Sequence, residues 1–174
     1  MLSSRNNAHR LLEAQNGLAT YGQLLAIGLT HGQIKHLRAS GSLVSLYRGV
    51  YRGAGVPDSW SARLVGSALF LRGRAILSCA TAARLHGLPG FEQNDIIEFV
   101  RTSESRGIGG PITVHTARRL EPVDQCEVDL PVLSSAAVPE SLMKAGLVRT
   151  FPATTVARTV IDLAARLKVP ALSR

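Results

Sequence analysis

Between residues 9 and 52 the spacing of apolar side chains shifts from helical to strand-like, and few small folds accept that order. Ala8, Leu11 and Leu12, then Leu24, Leu25 and Ile27, then Ile34 and Leu37 recur three or four apart, which gives each of three short helices one buried stripe. Thr20 and Thr30 each precede such a run, where a hydroxyl can accept from a free backbone N–H. Gly17, Gly28 and Gly41 each follow one, where a left-handed residue can end a helix. Beyond Gly41 the segment LVSLYRGVYR is β-prone and broken once at Gly49. Three helices followed by a hairpin is the order of a winged helix-turn-helix.

The third helix is the expected reading element. If Ile34 and Leu37 face inward, His31, Gln33, Lys35, His36 and Arg38 share the remaining surface. Gln33 offers paired donor and acceptor groups to adenine, and Lys35 or Arg38 offers cations to guanine or phosphate. Charge supports the placement. The formal net charge is +8, and residues 1–55 carry six basic side chains against Glu13 alone, so five of the eight net charges lie there.

After the wing, Asp58 or Ser59 is placed to cap a helix through Trp60, Leu64, Val65, Ala68, Leu69 and Phe70. Ser78 can cap a second helix, CATAARLHGL, stopped by Pro89. Strands are expected at Ile96 to Val100 and Ile112 to His115, with VDLPVL and LVRTF as further candidates. A last helix is expected from Thr155 to Leu167, with its Arg158 and Arg166 in solvent. The expected fold is therefore α+β: a winged helix-turn-helix over residues 1–55, then a small mixed α/β domain over 56–174. Ile34, Leu37, Val50 and Trp60 are expected in the cores.

These segments together resemble the AbiEi-family antitoxins of bacteria, particularly their actinobacterial branch. The resemblance rests on GLATYGQLLAIGLTHGQIKHLRASGSLVSLYRGVYR, SCATAARLHGLPGF, IEFV, ITVHTARRL and FPATTVARTVIDLA. It implies a winged domain that binds repeats in its own promoter as an autorepressor, and a second domain that neutralises a nucleotidyltransferase-like toxin. By position it places Thr30, His31, Gln33, Lys35, His36 and Arg38, with Arg48 and Arg52 of the wing, against double-stranded DNA. Contact with the toxin is expected around Glu98 and Arg101 on a strand, Arg106 in a glycine-rich loop, and the pair Arg118 and Arg119. Glu98 is expected to be exposed, by alternation with Ile97 and Phe99.

No catalytic residue, cofactor or metal site is expected. His86 and His115 read as packing residues, the loop after Arg106 lacks the lysine of a phosphate loop, and the acidic residues form no nuclease motif. Cys79 and Cys126 are expected to be reduced, Cys79 buried. With neither a signal-peptide core nor a membrane-length apolar run, a cytoplasmic place is expected, with self-association left open. The alternatives are a plain DNA-binding regulator without a toxin, and a nucleotide-dependent enzyme that modifies its partner.

Overall fold

The computed structural model describes residues 2–102, 112–131 and 139–166. In chain order the elements are α1 (Leu2–Ala14), β1 (Leu18–Thr20), α2 (Tyr21–Ala26), α3 (His31–Ala39), β2 (Leu43–Tyr47), β3 (Val50–Gly53), α4 (Trp60–Leu71), β4 (Ile76–Leu77), α5 (Cys79–Leu85), β5 (Glu98–Arg101), β6 (Thr113–Thr116), β7 (Gln125–Asp129), α6 (Glu140–Lys144), β8 (Thr150–Thr154) and α7 (Val156–Ala164). They form two compact units, one of residues 1–72 with 129–150, the other of 73–128 with 151–174.

In the first unit, Thr20 and Thr30 both complete capping boxes. Each hydroxyl accepts from the backbone N–H three residues on, and the glutamine there, Gln23 or Gln33, accepts from the threonine's own N–H. The turn between α2 and α3 is therefore held at one end by a glycine with φ +93°, Gly28, and at the other by a satisfied cap. The sheet is antiparallel in the order β1-β3-β2, with Ala19 opposite Tyr51 and Val44 opposite Arg52. This is a winged helix-turn-helix with the wing at the β2–β3 turn. β1 was not expected, because three residues carry no readable period. Gly17, at φ +76°, leads into it where a Cβ would lie 2.1 Å from a Val56 methyl, so a side chain there would collide as well as strain the backbone.

The core of this unit gathers Leu11, Leu24, Ile27, Ile34, Leu43 and Tyr51, and it also takes Leu142, Ala145 and Leu147 from the far end of the chain. Val50 is buried, as is Ile34, but Leu37 is half-buried at the core edge. Trp60 is not a core residue; it stands half-exposed in the first turn of α4. α4 packs its buried Leu64, Val65, Ala68 and Leu69 on the three-stranded sheet, and Tyr47 stacks on Phe70 at 5.0 Å. The unit is consequently larger than the expected 1–55, since the wing's sheet has an apolar back that α4 must cover.

The second unit is built on a mixed sheet, β6-β5-β4-β8-β7, in which β4 runs antiparallel to β5 and parallel to β8, and β5 parallel to β6. Phe99 and Phe151 meet edge to face at 6.2 Å, and fully burying a ring such as Phe99 contributes about 1.5–3 kcal/mol. Helices α5 and α7 pack together, with Ala82 and Ala83 small enough to allow it. Thr81 stitches α5 to the sheet: its Oγ1 donates to Ile96 O at 3.0 Å and accepts from Glu98 N at 2.8 Å. LVRTF does not form one strand; Leu147 joins the first unit's core and β8 starts at Thr150. VDLPVL likewise ends as a strand at Asp129, ahead of Pro131, which has no N–H to give a ladder.

Candidate nucleic-acid interface

Helix α3 and the wing turn carry a cluster of exposed basic side chains. With Ile34 fully buried and Leu37 half-buried, the 3.6-residue period turns His31, Lys35, His36 and Arg38 outward, and all four are exposed. Tyr21 and Tyr51 organise this surface. The Tyr21 hydroxyl bonds His31 Nδ1, Tyr21 meets Tyr51 edge on at 6.4 Å, and the Arg38 guanidinium stacks 5.3 Å above the Tyr51 ring. Tyr21 N also donates to Gly49 O at 2.9 Å, so the start of α2 is tied to the wing turn. Periodicity could not separate these tyrosines from ordinary strand and cap residues.

Three expected contacts are modified by what their side chains already do. Gln33 Oε1 accepts from Thr30 N at 2.8 Å, so reading adenine with both ends of its amide would break the cap of α3. Thr30 is occupied in the same box, its Oγ1 accepting from Gln33 N. Arg52 is half-buried and lies 3.9 Å from Asp58, whereas Arg48 stands exposed in the turn between β2 and β3. The exposed face therefore consists of the cations Lys35, Arg38 and Arg48 with His36 beside them, and Thr30 and Gln33 hold α3 in shape.

The residues expected to meet a second protein fall apart in the structure. Glu98 is not exposed; it is buried at 6% exposure, because its carboxylate is taken up by its own unit. Oε2 accepts from Ala80 N at 3.0 Å, and Oε1 accepts from His115 Nε2 at 2.9 Å and Arg166 Nη1 at 2.6 Å. Burial opposes its ionisation, but the Arg166, His115 and Ala80 hydrogen bonds outweigh it and hold the carboxyl below its usual range. Arg101 is half-buried, Arg106 lies outside the described residues, and Arg118 and Arg119 are exposed just past β6. Arg119 pairs with Glu121.

Neither Arg158 nor Arg166 is a free solvated arginine. Arg158 donates to Asp162 at 2.8 Å and Asp124 at 2.9 Å, which pins α7 to the turn before β7. Arg166 reaches from the end of α7 to Glu98 Oε1 and His115 Nδ1. His86 packs as expected, Nε2 to Thr154 O at 2.8 Å. His115 instead joins Glu98 and Cys79 in one cluster. Cys79 sits at the start of α5 with φ +51°, and burial, aided by Glu98, raises its thiol pKa above the ordinary value; Cys126 is also a free thiol. No helix among the described residues is long and apolar enough to cross a membrane.

Residues 9–52 match the family model of a transcriptional regulator, AbiEi antitoxin, which covers α2, α3 and the strands of the wing. The expected family is thus found over that segment. No curated protein matches the chain.

Proposed function

We propose that this chain is an antitoxin that represses its own promoter through the winged unit and neutralises a nucleotidyltransferase-like toxin in the cytoplasm. The observation that carries the reading is the exposed set Lys35, His36, Arg38 and Arg48 on α3 and the wing turn, inside the segment that matches the regulator family. Phosphate contacts from Lys35, Arg38 and Arg48 supply affinity and release counterions, while α3 lies in the major groove and its outward side chains meet base edges.

Fluorescence anisotropy of the full chain on its upstream duplex and on a scrambled duplex tests the DNA half. The expected result is binding to both that weakens steeply with salt, tighter on the upstream sequence. An affinity indifferent to salt, or equal on the two duplexes, would reject autorepression. Growth rescue of cells expressing the toxin tests the other half. Wild-type chain should restore growth, and failure at matched soluble levels would leave a regulator without a toxin.

A further inference from the structure

Cys79, Glu98 and His115 come from α5, β5 and β6, and each offers one donor atom within 4.8 Å of the other two. Two of the three are nearly closed to solvent, Cys79 at 4% and Glu98 at 6% exposure. The sheet explains the convergence. Glu98 faces Thr113 and Val100 faces His115 in the parallel β5–β6 pair, so Glu98 and His115 are diagonal neighbours, and α5 lays Cys79 beside β5.

A sulfur, an imidazole nitrogen and a carboxylate oxygen form a donor set suited to zinc-class ions and poorly suited to magnesium or calcium, which take oxygen. The place already attracts a cation. Arg166 Nη1 donates to Glu98 Oε1 at 2.6 Å, and Nη2 donates to His115 Nδ1 at 3.0 Å. Both groups are thus held by one guanidinium from the end of α7. The Ala80 N–H holds the other carboxylate oxygen at 3.0 Å, leaving Oε1 turned toward His115. A cavity of about 490 Å³ opens on Cys79, His115 and Arg166, giving a hydrated ion a way in and space for a fourth ligand.

We propose that Cys79, Glu98 and His115 bind a thiophilic divalent ion of the zinc class, in exchange for the Arg166 guanidinium. On binding, the Cys79 thiol gives its proton to solvent and the thiolate becomes the sulfur ligand. Sulfur keeps its oxidation state throughout, so no redox partner is needed. The exchange releases the end of α7 from β5 and β6.

Cobalt(II) is the probe, titrated into the reduced full-length chain. The expected result is one ion per chain with a sulfur-to-cobalt charge-transfer band, displaced by zinc. Cys79→Ser should abolish the band, and both it and His115→Ala should weaken binding by at least about tenfold, whereas Cys126→Ser should leave the band intact. Arg166→Gln removes the competing positive charge and should tighten binding by about tenfold. The wild-type titration needs no variant to fold, and absence of the band there overturns the site. A band that survives Cys79→Ser, or disappears with Cys126→Ser, overturns the ligand set. Unchanged or weaker binding in Arg166→Gln, with circular dichroism like wild type, overturns the exchange.

Discussion

Gln15 and Gln23 exchange amide hydrogen bonds in the interior of the winged unit, Nε2 of each donating to Oε1 of the other at 3.0 Å. Gln15 also donates to Leu18 O and accepts from Val148 N, while Gln23 donates to Gly146 O and accepts from Thr20 N. Every donor hydrogen and acceptor lone pair of both amides is thereby used. The pair joins β1 and the cap of α2 to residues 146–148, far along the chain.

A buried amide that loses its partner costs more than the net worth of the bond, so Gln23→Ala should destabilise by about 2–3 kcal/mol. Replacing both residues by leucine removes donors and acceptors together. Its cost should be at least about 1 kcal/mol less than the sum of the single leucine variants. Urea denaturation of the four chains measures the coupling. Strict additivity would mean that the two amides act separately.

The same relationship bears on what part of the chain folds. Leu142 is 1% exposed in the core that Leu24 and Ile34 also occupy, so Leu142→Ala should cost about 2–5 kcal/mol. Cutting after Arg72 removes Leu142, Ala145 and Leu147 and leaves Gln15 and Gln23 without Val148 and Gly146. That fragment should show poorly dispersed amide resonances, where the full chain shows dispersed ones. A well-dispersed spectrum from residues 1–72 would show that the 139–150 segment is dispensable.

On the DNA face, Arg48→Ala should weaken binding to all duplexes alike and lower the salt slope by about 0.9, the share of one phosphate contact. Arg52→Ala should do less, because Arg52 is half-buried beside Asp58. Gln33→Ala removes half of a capping box, one hydrogen bond, and should cost about 0.5–1.5 kcal/mol of stability with little change in base preference. Thermal melts and anisotropy on single-base duplex variants separate the two. A shift in preference at one base pair, with stability kept, would restore Gln33 as a base reader.

How much of this was legible follows from which interactions are local. Thr20, Thr30 and their glutamines are three residues apart, and the alternation of stripes and glycines spans a few turns, so the helices, their caps and the wing could be read from sequence. Leu142 and Leu147 look like any apolar residues of the second half, and nothing near them says that their core is the first unit's. Glu98 was misplaced for a related reason. Alternation gives its face relative to Ile97 and Phe99, but α5 and α7 cover that face too, and Ala80, His115 and Arg166 are invisible from the strand alone. The basic face of α3 was readable as charge, while its support by Tyr21 and Tyr51 needed the fold.

Glu98 is buried and held, so among the described residues expected to meet a partner the exposed ones are Arg118 and Arg119, which follow β6 beside the cavity at His115. Arg119 already pairs with Glu121, and exposed pairs of this kind contribute only about 0–1 kcal/mol, so reversing both charges should leave the fold nearly as stable. An acidic partner surface would feel the reversal strongly, because like charges set against each other slow association and loosen the docked pair. The R118E/R119E chain should therefore rescue growth against the toxin less well than wild type at equal soluble level, with its melting temperature and operator affinity unchanged. Full rescue by that variant would remove the arginine pair from the contact. A lowered melting temperature would instead assign the loss to the fold, and Arg118→Glu alone, which spares the Glu121 pair, should then show the weakened rescue without it.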